Sequence, residues 1–195
     1  MKNFKPMNKL GRLIYLVGSS GAGKDTVLNE IRGNHPIINS QSVHVMQRYI
    51  TRPSEKGNET HIALSEPEFI SKQKQGLFAL SWEAHNTKYA IGTEVDHLLT
   101  KGMTVLLNGS RAYFPEALKH YPEMKMVWIT VDSKVLEKRM IDRGRESFSE
   151  IQQRILRNQE LESARPDDCL TIDNSGNIDS TLVQFSKVLN AINAL

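Results

Sequence analysis

The chain has 195 residues, of which 39% are hydrophobic and 24% charged, so a folded core is expected and disorder is excluded. The formal charge of +3 is too small to indicate a nucleic-acid partner, and no apolar run approaches the roughly 20 residues of a membrane helix. The single cysteine, Cys169, excludes an intrachain disulfide. We therefore expect one domain, residues 1–195, of a cytoplasmic protein that binds neither nucleic acid nor a membrane. The oligomeric state stays open, a homodimer included.

A glycine-rich stretch follows the first apolar run of the chain. Leu13 to Val17 is apolar and an amphipathic pattern begins at Val27, which predicts a strand, a loop and a helix. The spacing G-x-x-x-x-G-K is typical of a phosphate-binding loop, where backbone N–H groups and the positive end of a helix face phosphate oxygens. The residues predicted to hold the phosphates of a nucleoside triphosphate are Gly18, Ser19, Ser20, Gly21, Ala22, Gly23, Lys24, Asp25 and Thr26.

One residue departs from this motif. The place that normally supplies a Ser or Thr hydroxyl to Mg²⁺ is Asp25, and Thr26 comes one residue late. Mg²⁺ favours carboxylate, water and phosphate oxygens. We therefore predict that Asp25 helps hold Mg²⁺, directly or through a water. The alternative is that Asp25 only caps the start of the helix.

Strands and helices alternate along the rest of the chain. Further strands are predicted at 43–50, 77–82, 88–91, 103–107, 126–131 and 169–172, and helices at 66–75, 94–100, 115–120, 133–143, 149–165 and 178–194. The alternation predicts an α/β fold with a mainly parallel sheet flanked by helices, whose ligands sit at the carboxyl ends of the strands. The stretch from about 48 to 92 interrupts the alternation and is interpreted as an insertion.

Arginines cluster in two places, and an arginine fork can hold two phosphate oxygens at once. The first group is Arg48 and Arg52, beside a turn. The second group brackets Gly144 and a short polar loop, as a mobile lid over about 139–157 would. Its members are Arg139, Arg143, Arg145, Arg154 and Arg157. The alternative for this second group is a solvated basic face.

These motifs together resemble the guanylate-kinase-like branch of the nucleoside monophosphate kinases over nearly the whole chain. The resemblance implies a P-loop NTPase fold that uses ATP and Mg²⁺. It implies that Thr51-Arg52 begins the acceptor-phosphate site and that Asn174 helps hold adenosine. It also implies that the phosphate in transfer is contacted by Lys24, Arg139, Arg143 and Arg154.

Four departures from that family argue against guanosine monophosphate as the acceptor. The second arginine of the acceptor site is replaced by Glu55, and the glutamate before the tryptophan of the guanine pocket is replaced by Ser81. The serine after the paired tyrosines corresponds to Ile91, and the aspartate at the end of the middle strand corresponds to Asn108. A pocket that reads guanine N–H groups needs hydrogen-bond acceptors, and most of them are missing here.

The remaining motifs are similar to the family of ribose 1,5-bisphosphate phosphokinases, which act in phosphonate utilisation. The matching stretches are Gly23-Lys24-Asp25, Arg48 to Arg52, His61 to Ser65, Ala79 to Trp82 and Asn108 to Arg111. The resemblance implies transfer of a phosphoryl group from ATP to ribose 1,5-bisphosphate, which gives 5-phosphoribosyl 1-diphosphate. The implied substrate-binding residues are Arg48, Arg52, Tyr89, Asn108 and Arg111.

A phosphate acceptor needs no general base, because its oxygens are already ionised near neutral pH. We therefore expect His61 and His85 to be ordinary polar or half-buried histidines. Two alternatives stay open. One is a nucleoside monophosphate kinase with relaxed base choice, and the other is a guanylate-kinase-like module that binds proteins without catalysis. The intact Lys24 and the lid arginines argue against the second.

Overall fold

The structure is a computed structural model, which describes residues 10–38, 43–53, 59–144, 146–163, 165–166 and 169–194. The strands are β1 (Arg12–Gly18), β2 (Val43–Val45), β3 (Tyr49–Ile50), β4 (Ile62–Ala63), β5 (Phe78–Ala84), β6 (Thr87–Gly92), β7 (Thr104–Asn108), β8 (Lys125–Thr130) and β9 (Leu170–Asp173). The helices are α1 (Lys24–Arg32), α2 (Glu66–Lys74), α3 (Glu94–Thr100), α4 (Phe114–His120), α5 (Ser133–Arg143), α6 (Phe148–Ser163) and α7 (Ile178–Ala194). Within these described ranges, every helix is too short or too polar to cross a bilayer.

The main sheet has five strands in the order β2-β7-β1-β8-β9. β2 runs parallel to β7, with Val43 opposite Thr104, and β8 runs parallel to β9, with Val127 opposite Leu170. β1 and β7 are buried on both faces, as parallel strands covered by helices are: six of the seven residues of β1 and all five residues of β7 are buried. The predicted α/β class with a parallel sheet flanked by helices is confirmed.

A second sheet has four short strands in the order β4-β3-β6-β5, all between residues 49 and 92. β5 and β6 form an antiparallel hairpin whose turn residues, His85 and Asn86, both have positive φ. Such a two-residue turn matches the twist of a hairpin. α2 precedes this hairpin and begins at a capping box in which Ser65 and Glu68 satisfy each other's backbone N–H groups.

Contacts divide the chain into two compact units. The first comprises Met1–Tyr15 and Ser42–Lys125, and its buried side chains include Ile50, Phe69, Leu80, Ile91 and Leu106. The second comprises Leu16–Gln41 and Met126–Leu195, and its buried side chains include Val17, Leu28, Ile129, Ile172 and Phe185. Each unit therefore contains strands and helices with a buried apolar set of its own.

One predicted strand differs from the structure. The apolar run at 43–50 forms two strands in two different sheets, β2 beside β7 and β3 beside β6. Between them lies Arg48, which pairs with a buried carboxylate in the first unit. Periodicity treats 43–50 as one segment because it records burial and not which partner strand provides it.

Candidate functional site

The phosphate-binding loop joins the end of β1 at Gly18 to the start of α1 at Lys24 in the second unit. Gly23 has φ 87°, and a side chain there would place its Cβ 2.3 Å from Nδ2 of Asn174, so only glycine fits. Lys24 turns back to donate from Nζ to the carbonyl oxygens of Gly18 and Ser19, at 2.9 and 3.0 Å. The loop therefore has the shape and the cation that the motif predicts.

Asn174 supports this loop from the end of β9. Its Nδ2 donates to the carbonyl oxygen of Ala22 at 2.6 Å, and its Oδ1 accepts from Oγ1 of Thr181 at 2.8 Å. The residue is buried, so these two bonds occupy a side chain that is closed to solvent. Its position under the loop was not expected from sequence, and its expected contact with adenosine stays a prediction.

The two helices of the predicted lid, α5 and α6, which we call the lid helices, also lie in the second unit. α5 and α6 pack through a buried apolar cluster of Leu136, Met140, Ile151 and Ile155. α5 ends at Gly144 with φ 60°, a left-handed conformation that lets the chain reverse toward α6. This packing fixes which face of each helix carries its arginines.

Arginines from both lid helices gather around the phosphate loop. From α6, Arg154 donates to Oγ of the loop residue Ser20 and pairs with Glu146. Partial burial, followed by the charge of neighbouring Arg143, lowers the pKa of Arg154 and likewise the pKa of Arg139. Arg145 lies outside the described residues.

One atom of this group is buried without a hydrogen bond. Nη1 of Arg139 has no partner in the part of the chain that the structure describes, and it lies 3.8 Å from the Cβ position that Gly23 lacks. Like charges held close together, with a buried donor left over, favour binding of an anion. We call Ser20, Lys24, Arg139, Arg143 and Arg154 the loop-and-lid cluster.

The chemistry of the loop also fits a magnesium ion. Asp25 is half-buried in the first turn of α1, one residue past Lys24, while the N-cap position is Gly23. Among the described residues, groups of three or more His, Cys, Asp or Glu able to hold a metal are absent. Mg²⁺ is commonly held by one or two carboxylates with water and substrate phosphates. Asp25 is thus a suitable single protein ligand, and Thr26 is exposed beside it.

A buried carboxylate organises the first unit's candidate site. Both oxygens of Glu59 pair with Arg48, through Nε at 2.6 Å and through Nη2. Nη2 of Arg52 lies 3.9 Å from Glu59, and Nδ2 of Asn108 donates to it at 3.3 Å. Three predicted substrate-binding residues thus meet at a residue that the sequence reasoning missed. We call Arg48, Arg52, Glu59 and Asn108 the acceptor cluster.

The Glu59 carboxylate is ionised within this cluster. Burial alone raises its pKa, but the hydrogen bonds and charge of Arg48, helped by Arg52 and Asn108, lower the pKa below the ordinary value of 4.5. Sequence reasoning had little chance of finding it. Glu59 follows a polar stretch with a glycine, where a carboxylate is ordinarily solvated.

Aromatic rings border the acceptor cluster. Trp82 of β5 stacks on Tyr89 of β6 with centroids 5.5 Å apart, and on Tyr113 with centroids 5.4 Å apart. The guanidinium carbon of Arg48 lies 4.9 Å from the centroid of Tyr89. The predicted substrate residue Tyr89 is therefore beside the cluster, and the aromatic surface of Trp82 is engaged by the protein's own rings.

The loop after β7 is held by a buried tyrosine. The Tyr15 hydroxyl accepts from the N–H of Ser110 at 3.0 Å and donates to its carbonyl oxygen at 3.1 Å. Burial raises the pKa of Tyr15, so the hydroxyl keeps the proton that it donates. A Cβ at Gly109 would lie 2.0 Å from the Tyr15 ring. Arg111, the last predicted substrate residue, follows in this loop and is half-buried.

The two histidines predicted to have ordinary roles lie in different environments. His61 is buried, and its two ring nitrogens each lie 3.0 Å from a backbone carbonyl oxygen: Nδ1 from that of Glu59 and Nε2 from that of Arg52. The ring therefore links the two segments that carry Arg52 and Glu59 of the acceptor cluster. His85 is exposed in the hairpin turn.

The described residues that argued against a guanine pocket are either buried and apolar or hydrogen-bonded to other side chains of the protein. Ile91 is fully buried, and Ser81 accepts from Nε2 of Gln73 at 3.2 Å. Asn108 presents its amide N–H to Glu59. Glu55 lies outside the described residues.

The fold and the two clusters are compatible with a phosphate-transferring enzyme, and the comparison with known families supports that class. The chain belongs to the guanylate kinase family, whose model matches residues 10–192. Among solved structures, a guanylate kinase from Anaplasma phagocytophilum is similar with a TM-score of 0.66 and 17% identity, over 94% of this chain and 87% of that one. This second likeness concerns the fold alone.

Curated relatives are more similar in sequence. A ribose 1,5-bisphosphate phosphokinase from Yersinia pestis is 45% identical over 181 residues, which are 92% of this chain and 92% of the relative. One from Klebsiella pneumoniae is 44% identical over 183 residues, which are 93% of this chain and 94% of the relative. The resemblance stated from sequence motifs is confirmed by these matches.

Proposed function

We propose that this chain phosphorylates ribose 1,5-bisphosphate with ATP, giving ADP and 5-phospho-α-D-ribose 1-diphosphate. The names of the relatives at 44–45% identity support this activity. We also propose that the enzyme acts in 5-phosphoribosyl 1-diphosphate biosynthesis, within phosphonate utilisation, as the family resemblance implies. We further propose a cytoplasmic location, a small-molecule substrate and no nucleic-acid or membrane partner. The oligomeric state stays open, a homodimer included.

The acceptor cluster is the observation that carries the proposal. It brings Arg48 and Arg52 together around Glu59, beside a tryptophan that already stacks on two tyrosines, and so places positive charge where phosphate oxygens would bind. A nucleobase gains affinity by stacking on open aromatic surface and by hydrogen bonds to its edge. Trp82 is only 9% exposed, so the cluster suits a phosphorylated sugar better than a nucleotide.

The loop-and-lid cluster supplies the ATP half of the proposal. Backbone N–H groups of the loop and Lys24 would hold the phosphates, with Arg139, Arg143 and Arg154 neutralising charge that develops on the transferring group. Mg²⁺, held by Asp25, would neutralise further charge on the β- and γ-phosphates. We propose that residues 1–195 act as one kinase domain, with an acceptor-binding insertion at about 48–92 and a lid at about 139–157, and that Asn174 lies near adenosine.

The chemical step needs positioning more than acid–base groups. An oxygen of the 1-phosphate attacks the γ-phosphorus of ATP, a new P–O bond forms, and the bond to the β–γ bridging oxygen breaks. The attacking oxygen is already ionised, so no side chain has to take a proton. Arginines, which are always charged, suit this task at neutral pH.

A coupled ATP-consumption assay tests the proposal. Purified protein is given ribose 1,5-bisphosphate or guanosine monophosphate under the same conditions, and we expect turnover of the sugar bisphosphate only. Turnover of the nucleotide alone would instead establish a nucleoside monophosphate kinase, which family membership favours as the second candidate. Failure with both acceptors would favour a protein-binding module.

A further inference from the structure

Glu59 has more cationic neighbours than one carboxylate needs. Its side chain is 5% exposed, and it contacts Arg48 through two nitrogens while Arg52 stands at 3.9 Å. Two arginines and one carboxylate leave one net positive charge. Compared with apolar residues in the same place, an ion pair this deep contributes little net stability, because desolvation opposes the Coulomb attraction. We therefore interpret the main effect of this ion pair as fixing the positions of the two arginines.

The two arginines are held differently. Arg48 is 12% exposed, gives Nε and Nη2 to Glu59, and lies against the Tyr89 ring. Arg52 is 31% exposed and only approaches the same carboxylate. Arg48 is therefore committed to the protein, whereas Arg52 keeps donors for something else.

Arg52 has a buried N–H donor that a bound ligand would satisfy. Its Nε is shielded from solvent and lacks a hydrogen-bond partner among the described residues. Buried donors are nearly always satisfied in folded proteins. A phosphate oxygen is a strong acceptor that fits an arginine fork.

We propose that Glu59 is a positioning residue for acceptor binding, which holds Arg48 and orients Arg52, the arginine that the family resemblance already assigns to the acceptor phosphate. The proposal rests on the proposed function. Glu59 holds Arg48 as a fixed support and draws Arg52 and Asn108 to one point, so that Arg52 presents its donors in one geometry. Arg48 thereby acts through Glu59, and not by contact with the phosphate.

Glu59→Gln separates this role from a purely electrostatic one. The substitution removes a negative charge beside an anion site, so electrostatics alone would lower the acceptor KM. A positioning role predicts the opposite, a rise in acceptor KM of about tenfold or more with the ATP KM within about twofold of wild type. Arg48→Lys keeps the charge but loses the fork, and the same acceptor-specific rise is expected.

Glu116→Gln is the matched control, because it removes an exposed carboxylate paired with Lys119 in the same unit. It should leave both KM values unchanged. An acceptor KM that falls or stays constant in Glu59→Gln would overturn the proposal. So would an equal rise in both KM values, since that would mean general loosening of the fold.

The wild-type protein is assayed with both acceptors first. If only guanosine monophosphate is phosphorylated, the proposed function fails, and the KM comparison is then made with that nucleotide. Its phosphate needs an arginine donor as much as a sugar phosphate does. The two proposals can therefore fail separately.

Discussion

At the scale of residues, the loop differs from its motif by one carboxylate in place of one hydroxyl. Asp25 lies in the first turn of α1, where a negative charge is favoured by the helix dipole with or without a metal. The structure therefore accommodates both roles that the sequence left open. Only a measurement that varies the metal separates them.

Asp25→Asn tests the metal role. We expect the Mg²⁺ concentration for half-maximal activity to rise about tenfold or more, because an amide is a weaker ligand than a carboxylate. Calorimetry should show weaker binding of MgATP, with binding of metal-free ATP retained. The control is Asp179→Asn, an exposed residue near His35. Unchanged activity with an unchanged Mg²⁺ dependence would mean that Asp25 serves only the helix.

At the scale of elements, two arginines of helix α6 lie in different environments. Ile151 and Ile155 pack on α5, and Arg154 reaches Ser20 of the phosphate loop from the neighbouring position. Arg157, three residues along, is exposed. Because a helix has 3.6 residues per turn, positions 154 and 157 are predicted to lie on the same face, so the sequence does not distinguish the two arginines. The structure distinguishes them, because Arg154 donates to Ser20 while Arg157 is exposed.

Arg154→Ala and Arg157→Ala form a matched pair on this helix. The first should lower kcat about a thousandfold, because an arginine that meets the transferring phosphate stabilises charge in the transition state. The second should leave kcat within about twofold of wild type. Steady-state kinetics with saturating ATP measures both. Equal losses of kcat in the two variants would instead favour the alternative that the second arginine group is a solvated basic face.

At the scale of the whole molecule, buried charge makes stability depend on pH. The pKa of Glu59 is lowered in the folded chain, mainly through Arg48 acting against burial, so its ionised form stabilises the fold. That contribution is complete above the ordinary carboxyl value of 4.5 and is lost as the pH falls through the lower folded value. The pKa values of Glu68 and Glu150, lowered by their hydrogen bonds to Ser65 and Ser147, act in the same direction.

Urea unfolding across this pH range checks the assignment. Wild-type protein should lose stability as the pH is lowered from 6 to about 3, since the unfolded chain then binds more protons than the folded chain. Glu59→Gln should be less stable at pH 6 and should show a shallower decline, because that titrating group is absent. Glu116→Gln should follow wild type. An identical decline in Glu59→Gln would mean that other carboxylates dominate acid unfolding.

The sequence alone predicted the fold class, which is confirmed, and the residues of the nucleotide half of the site, which stay a prediction. Hydrophobic period and glycine placement are local signals, and they identified the loop from Gly18 to Lys24 and the helices from 94 to 143. The family resemblance rests on short local motifs as well, and it selected Arg48, Arg52 and Asn108. Each of these inferences needs only neighbours in the chain.

Tertiary structure decided how the selected residues are used. Glu59 lies 49 positions before Asn108 in the chain, yet they share a hydrogen bond, and Asn174 supports a loop 152 positions away at Ala22. A carboxylate in a polar loop looks solvated until folding buries it between two arginines. Burial and charge pairing depend on which distant segments meet, and no local pattern records that.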